Sequence, residues 1–273
     1  MNAYATTHAP MITAQTPFFT VIIATYNAAA TICKSIDSVL AQTEHAQILV
    51  MDGLSNDNTA SLARRYEPLG VAVYSEKDHG VYDAWNKGLE HARGEWIIFL
   101  GADDYYDNQD SLYTLRQALT NGPKDACLAY GLVEVVDAKG QVIAVENKPW
   151  NECRDTLRKN MPYTHVGSAH HASIFRERRF DPEFRIAGDY NFLYPILTRI
   201  APVFVSTYIV KMGHGGLSTS FTARLNLIRE IKQIRRGHRI NAGWRATFWL
   251  NIKEIYYSAT KFISTILDRQ GIT

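Results

Sequence analysis

The sequence predicts an α/β protein, an open and mainly parallel sheet with helices on both faces. Three observations predict it. Short apolar, partly β-branched runs alternate with segments of helical spacing through the first half of the chain. The connections between them are short. Each apolar run ends on a polar stop, as a buried strand does at a sheet rim.

The strand-like runs are FTVIIAT (Phe19–Thr25), QILVMD (Gln47–Asp52), VAVYSE (Val71–Glu76) and WIIFLG (Trp96–Gly101). Between them lie AAATICKSIDSVLAQ, NTASLARRYEPLG and VYDAWNKGLEHARG. The first sets Ile32, Ile36, Val39 and Leu40 at helical spacing, and the third sets Val81, Trp85 and Leu89 four apart. Beyond Ser111 the pattern loosens. Leu112–Leu119 reads as a helix, and ACLAYGLVEVVDAKGQVIAVEN as a hairpin turning at Ala138-Lys139-Gly140. Residues 148–170 read as loop-rich. A helix is expected from Gly188, with Pro195 as a kink or boundary. PVFVSTYIVKMG reads as a late strand, and Ala223–Arg239 and Trp244–Leu267 as two amphipathic helices.

A chain of 273 residues, 46% hydrophobic and 21% charged, holds one large domain with a buried core and an appendage. The expected division is a loose leader at 1–17, a catalytic domain at 18–221 and a basic helical segment at 222–273. Three cysteines without a CxxC argue for a reducing compartment and against a disulfide framework. The leader lacks a basic n-region and an apolar h-region, and no apolar run is long enough for a membrane span. The expectation is a cytoplasmic protein, either free or peripheral on the inner face of the membrane. The net charge of +2 hides an asymmetry: residues 222–273 carry ten Lys/Arg against three Asp/Glu. Such a segment meets something anionic, and nucleic acid, phospholipid and a diphosphate substrate all remain open on charge alone.

Ligands of an open α/β sheet bind beyond the carboxyl ends of its strands. Here those ends are Thr25-Tyr26-Asn27, Asp52-Gly53-Leu54-Ser55, Ser75-Glu76-Lys77-Asp78 and Gly101-Ala102-Asp103-Asp104. Three of the four carry carboxylates. An acidic rim suits a divalent cation that in turn holds phosphates, while single aspartates at strand ends also serve as turn formers and caps. The adjacent Asp103 and Asp104, directly after a buried run, point to function. There is no GxGxxG after the first strand and no GxxxxGK[ST], GxSxG or HExxH, which removes the main support for dinucleotide, P-loop, hydrolase and zincin readings.

FTVIIATYNAAATICKSIDSVLAQT…ILVMDGLSNDNT and SEKDHGVYDAWNKGLEHARGEWIIFLGADD together resemble the family 2 glycosyltransferases, nucleotide-diphospho-sugar enzymes of the GT-A fold. The resemblance is close over Thr20–Asp104 and looser over Ser168–Ser218. It is strongest to the branch that builds bacterial capsule, exopolysaccharide and lipopolysaccharide. It implies an inverting transfer that uses Mn2+ or Mg2+, with a UDP-sugar as the expected donor and a saccharide or polyprenyl-diphosphate-linked acceptor.

By the same resemblance, Thr25, Tyr26 and Asn27 line the nucleotide pocket and Asp52 accepts from the base or ribose. Asp78, with Asp83, Asn86 and Lys87, flanks the ribose and diphosphate. Asp103 stands at the metal-holding carboxylate of the DxD motif, which here begins with Gly101 and continues through Ala102. That glycine is a departure, and Asp104 is the expected substitute. Asp189 matches the general base, His170 and Arg185 match positions facing donor or acceptor, and His214 lies where related enzymes close a loop over the diphosphate. The alternatives are another nucleotide-sugar enzyme or a non-catalytic scaffold on this fold. In the tail, Trp244, Phe248, Ile252, Ile255, Tyr256, Ala259, Phe262, Ile263 and Ile266 share a stripe beside basic residues. Residues 241–267 are therefore expected to touch a membrane surface, to pair with a second copy or to pack internally. No nucleic-acid motif accompanies the charge.

Overall fold

The computed structural model describes residues 16–215 and 221–269. Most of the expected leader, and residues 216–220 after the His214 loop, lie outside them. Eight strands form one sheet: β1 (Phe19–Thr25), β2 (Ala46–Asp52), β3 (Ala72–Ser75), β4 (Trp96–Gly101), β5 (Leu128–Val136), β6 (Val142–Glu146), β7 (Ala169–His171) and β8 (Val203–Gly213). The order is β3-β2-β1-β4-β7-β5-β6, and β8 runs along the other edge of β5. Strands β1 to β4 pair in parallel, as the alternating pattern requires, while β7 is antiparallel to both β4 and β5.

Buried residues alternate between two cores. Phe19, Val21 and Ile23 face one core beneath α1 (Ile32–Leu40), α2 (Thr59–Arg64) and α4 (Ser111–Asn121), with Leu112 and Leu115. Ile22, Leu49 and Phe99 face the other, beneath α3 (Val81–His91) and α6 (Gly188–Leu197). That alternation is the two-residue period of a strand with both faces covered. Helix α3 lies so close to β1 that a Cβ on Gly88 would come within 2.7 Å of Ile22. The helix is glycine there because nothing larger fits. The expected hairpin is β5–β6, pairing from Val133↔Glu146 to Val136↔Val142. Gly140 at φ 80° supplies its left-handed turn residue.

The loop-rich stretch holds one turn of helix, α5 (Trp150–Cys153), and the three residues of β7 that join the two halves of the sheet. Pro195 sits inside α6, which ends two residues later. Proline has no N–H for the carbonyl four residues back, Asn191. The ring Nε2 of His238 lies 3.2 Å from that carbonyl oxygen.

Residue 238 follows α7 (Phe221–Gly237), and α8 (Trp244–Arg269) completes the chain. Beyond the boundary expected at 221/222, α7 packs on the sheet-bearing part of the chain. Leu225, Ile228, Ile231 and Ile234 of α7 are all buried, and Ile234 belongs to the second core. Helix α8 differs, because Trp244, Phe248, Trp249 and Ile255 remain exposed. Among the described residues, no helix is long and apolar enough to cross a membrane.

Candidate active site at the strand ends

Two cavities open at the carboxyl ends of the parallel strands. One, about 540 Å³, includes Asp103, Asp104, Asp189, Arg185 and His214 in its wall, together with Tyr82 and Trp85. The second, of similar volume at about 570 Å³ but lined by fewer residues, takes in Tyr26, Leu54, Lys77, Asp78 and Gly80. Arg185 borders both.

The two adjacent aspartates have different fates. Asp103 is exposed. Asp104 is 4% exposed, and its carboxylate accepts from the backbone N–H of Gly101 at 3.0 Å and of Gly213 at 3.2 Å. Burial, with the Asp103 charge beside it, pushes the Asp104 carboxyl up to about 7. Asp104 is therefore a clamp that ties the end of β4 to the end of β8. Paired backbone bonds between Tyr105 and Lys211 add to the same junction.

This clamp accounts for Gly101. A Cβ there would lie 2.5 Å from Asp104 Oδ2 and 2.9 Å from Asp103 Oδ1. A side chain at 101 and a folded-back Asp104 exclude each other. Each Asp104 oxygen accepts one backbone N–H, which turns the carboxylate back toward the backbone at the edge of the cavity. Among the described residues, no group of three or more His, Cys, Asp or Glu converges as a metal site. One free carboxylate, Asp103, still fits a divalent cation whose remaining ligands are phosphate and water oxygens, the usual way Mg2+ is held.

Asp189 opens α6 and sits part-exposed at the cavity wall. Its Oδ1 accepts from Tyr190 N at 2.8 Å, and the Tyr82 hydroxyl stands 3.4 Å away. That hydroxyl donates to Ile186 O at 2.7 Å. Burial raises the Asp189 carboxyl to about 6. An acid with that value is still ionised at neutral pH but is a stronger base than an ordinary aspartate.

Sequence reasoning missed what holds this segment. Glu230 of α7 is 8% exposed, and its carboxylate accepts from three consecutive N–H groups: Arg185 at 2.8 Å, Ile186 at 3.0 Å and Ala187 at 2.7 Å. The basic tail thus supplies the acid that fixes the backbone carrying Arg185 and leading into Asp189. A lone glutamate 45 residues downstream on an amphipathic helix gives no sequence signal of this role.

Other expected site residues sit away from these cavities or bond within the protein. Asp52 is 2% exposed and accepts from Ser55 N, Ser55 Oγ (2.5 Å) and Ser75 Oγ (2.6 Å), so it binds the turns after β2 and β3 together and lines neither cavity. Asn27, left-handed at φ 50°, accepts from Asn56 N at 2.8 Å. Thr25 is buried, and its hydroxyl has no partner among the described residues. Ala102 is buried as well.

On α3 the cavity side carries Val81, Tyr82 and Trp85. Asp83, Asn86 and Lys87 do not line the cavity: Asn86 exchanges two hydrogen bonds with the Phe180 backbone at 2.8 and 3.0 Å, and Lys87 donates to Lys77 O at 2.6 Å. The 100° step of a helix turns Asp83 and Lys87 away from that side, while Asn86, one turn on from Tyr82, is held by the Phe180 backbone.

His170, expected to face donor or acceptor, is wholly buried on β7. Its Nδ1 is 3.2 Å from Ile97 O, which fixes it as a donor there. Nε2 therefore accepts from His165 Nε2–H at 2.9 Å. Desolvation holds His170 down to about 4, so the ring is neutral. Of these two paired rings, it is His165 that borders the cavity.

The family model described as Glycosyl transferase family 2 matches residues 20–183. A PGL/p-HBAD biosynthesis glycosyltransferase of Mycobacterium bovis (strain BCG / Pasteur 1173P2) is 29% identical over 245 residues, covering 82% of this chain and 88% of the relative. The putative teichuronic acid biosynthesis glycosyltransferase TuaG of Bacillus subtilis (strain 168) is 36% identical over 92 residues, or 32% of this chain and 36% of TuaG.

Among solved structures, S. aureus TarS 1–349 in complex with UDP-GlcNAc superposes with a TM-score of 0.60 at 18% identity. It covers 79% of this chain, which in turn spans 66% of that one. The mannosyltransferase PcManGT from Pyrobaculum calidifontis, in complex with GDP-Man and Mn2+, also gives a TM-score of 0.60, at 20% identity over 88% of this chain and 70% of its own. These structural likenesses concern the fold. The family model spans more than half of the chain, and the protein belongs to glycosyl transferase family 2, a glycosyltransferase built on the GT-A fold.

Proposed function

We propose that the protein moves a sugar, with inversion and with the help of Mn2+ or Mg2+, from a nucleoside-diphosphate sugar to a hydroxyl of a saccharide or polyprenyl-diphosphate-linked acceptor in cell-surface polysaccharide synthesis. The observation that carries this is the meeting of one exposed carboxylate, one partly desolvated carboxylate and one arginine in a single cavity, at Asp103, Asp189 and Arg185. The nucleoside lies in the cavity of Tyr26, Leu54 and Asp78, and Arg185, bordering both cavities, meets the diphosphate between them. UDP is the expected nucleotide. Relatives solved with UDP-GlcNAc and with GDP-Man and Mn2+ support a nucleotide-sugar donor.

The reaction is a single displacement. The acceptor oxygen bonds to the anomeric carbon as the bond to the diphosphate oxygen breaks, and the acceptor proton passes to Asp189. An alcohol is too weak an acid to ionise unaided near pH 7, so this base is needed in the transition state. Tyr82 holds the Ile186 carbonyl next to Asp189 and keeps the carboxylate turned to the cavity. Negative charge grows on the leaving diphosphate, where Arg185 and His214 would meet it. Asp103 would hold the divalent cation, whose bound charge stabilises the same leaving group.

We also infer that α8 contacts the membrane surface that bears a lipid-linked acceptor. A thermal-shift screen of UDP-, GDP- and dTDP-sugars tests the donor reading, since a ligand of the native state must raise its stability. The expected result is stabilisation by one nucleotide class that requires Mn2+ and is lost in Asp103→Asn. No stabilisation by any nucleotide sugar would overturn the reading. Stabilisation indifferent to chelator would overturn the metal.

A further inference from the structure

Helices α7 and α8 enclose a groove of about 420 Å³ that the transfer reaction does not use. Its wall includes Lys232, Arg235, Arg236 and Arg239, with Thr247 and Asn251 opposite, and no carboxylate lines it. Residues 224–253 contain eight Lys/Arg and one acid, Glu230, with Glu254 next in sequence. Both acids are taken: Glu230 by the 185–187 backbone, Glu254 by Arg229 and Lys232. Arg235 gives one nitrogen to Lys159 O at 2.5 Å, while its buried Nε has no partner. Arg236 and Arg239 are exposed and make no ion pair among the described residues. A groove with this much uncompensated positive charge calls for an anion.

The neighbouring surface specifies which anion. At 100° per residue, Trp244, Ile255, Phe248, Ile252 and Trp249 fall within an arc of about 140° on α8, and all are exposed, Trp244 by 74% and Ile255 by 70%. Arg245 lies inside that arc and Lys253 at its edge, while Asn251 of the groove borders it on the other side. Indole and phenyl groups flanked by cations match the headgroup layer of a bilayer, where apolar faces sink and basic groups meet phosphate. A second copy fits less well. A symmetric contact through this arc would set Arg245 and Lys253 against a similarly basic surface.

We propose that the α7–α8 groove is a phosphate site for anionic lipid headgroups and that the aromatic face of α8 enters the same leaflet. This rests on the membrane contact inferred for α8 and adds to it a binding site with its ligand chemistry.

The test is flotation of the full chain with phosphatidylcholine vesicles and with the same vesicles carrying phosphatidylglycerol. Three proteins are compared: wild type, Arg236→Glu/Arg239→Glu and Phe248→Ala/Trp249→Ala. None of these positions touches the reaction cavity, so donor-induced thermal shifts should be unchanged and will report intact folding. The proposal expects binding to the anionic vesicles only, a loss of at least about ten-fold in the charge-reversed variant and weakening with added salt. It also expects loss in the aromatic variant. Anionic-vesicle binding that survives charge reversal but not the aromatic changes would overturn the groove and leave the membrane contact standing. No binding to either vesicle would overturn both. Strong stabilisation by inorganic phosphate without any vesicle binding would make the groove a free-phosphate site and overturn the lipid assignment. A dimer in solution that the aromatic variant converts to monomer, again without vesicle binding, would assign the face to a second copy.

Discussion

Replacing Glu230 by glutamine changes one oxygen for an amide nitrogen and leaves the side chain's length untouched. In the native arrangement the carboxylate takes three backbone N–H groups at 2.7–3.0 Å. Hydrogen bonds to a charged acceptor contribute about 1.5–3 kcal/mol each, against about 1 kcal/mol for neutral ones. A glutamine oxygen can keep two of the three, each weakened by about 1 kcal/mol, and its NH2 opposes the third. With one buried N–H left unsatisfied, at about 1–3 kcal/mol, the total comes to about 3–5 kcal/mol. For a chain of this size, that lowers Tm by about 6–15 °C.

Stability alone would not separate a structural role from a functional one, so the assay pairs calorimetry with steady-state transfer. The loosened backbone carries Arg185 and leads into Asp189, so kcat should fall by about ten-fold or more and the nucleotide-sugar KM should rise. The Glu230 charge also helps to raise the Asp189 carboxyl. The acid limb of the pH–rate profile should therefore move to lower pH in Glu230→Gln and stay in place in Glu230→Asp. Wild-type Tm and kcat in Glu230→Gln would refute the clamp.

Two further outcomes follow from the same geometry. Gly101→Asp, which restores an acid at the first position of the motif, should lower stability by about 1–3 kcal/mol, because its Cβ displaces the Asp104 carboxylate from the Gly101 and Gly213 N–H groups. Improved stability or activity in that variant would show that Asp104 is free to move, as a calorimetric scan and a rate measurement would reveal. Transfer should also fall as pH drops through about 6, where Asp189 takes up its proton. The stability term has the opposite sign. A folded-state value raised from 3.8 to about 6 favours the native state fully below pH 3.8, and that contribution is lost as pH rises through 6. A rate profile flat between pH 5 and 8 would contradict the assignment.

The strands of the parallel half were legible because each is an apolar run buried on both faces and closed by a polar residue. The hairpin was legible because its turn residues demand it. Strand β7 was not, since three residues reading Ala-His-His carry no period, and only the flanking edges of β4 and β5 make them a strand. The site shows the same division. The family resemblance named Asp103, Asp189, Arg185 and His214 as site residues, and all four line one cavity. It could not divide labour between neighbours: Asp103 faces the cavity while Asp104 turns back to the backbone, a choice made by Gly101 and by β8 more than a hundred residues on. Asn86 and His170 were assigned ligand contacts by the family resemblance. Both hydrogen-bond to backbone groups, a role that a linear motif does not reveal. Glu230 was invisible because its three partners are brought to it only by the packing of α7.

The most direct test of the central claim is Asp189→Asn, with donor binding and transfer measured on the same preparation. The amide keeps the shape and can still accept from Tyr190 N, but it cannot take a proton at neutral pH. The account predicts an unchanged nucleotide-sugar thermal shift and a loss of transfer of about 100-fold or more, the usual contribution of a positioned base. Transfer near the wild-type rate, with the donor bound as before, would show that the proton leaves by another route and that this cavity wall does not hold the base.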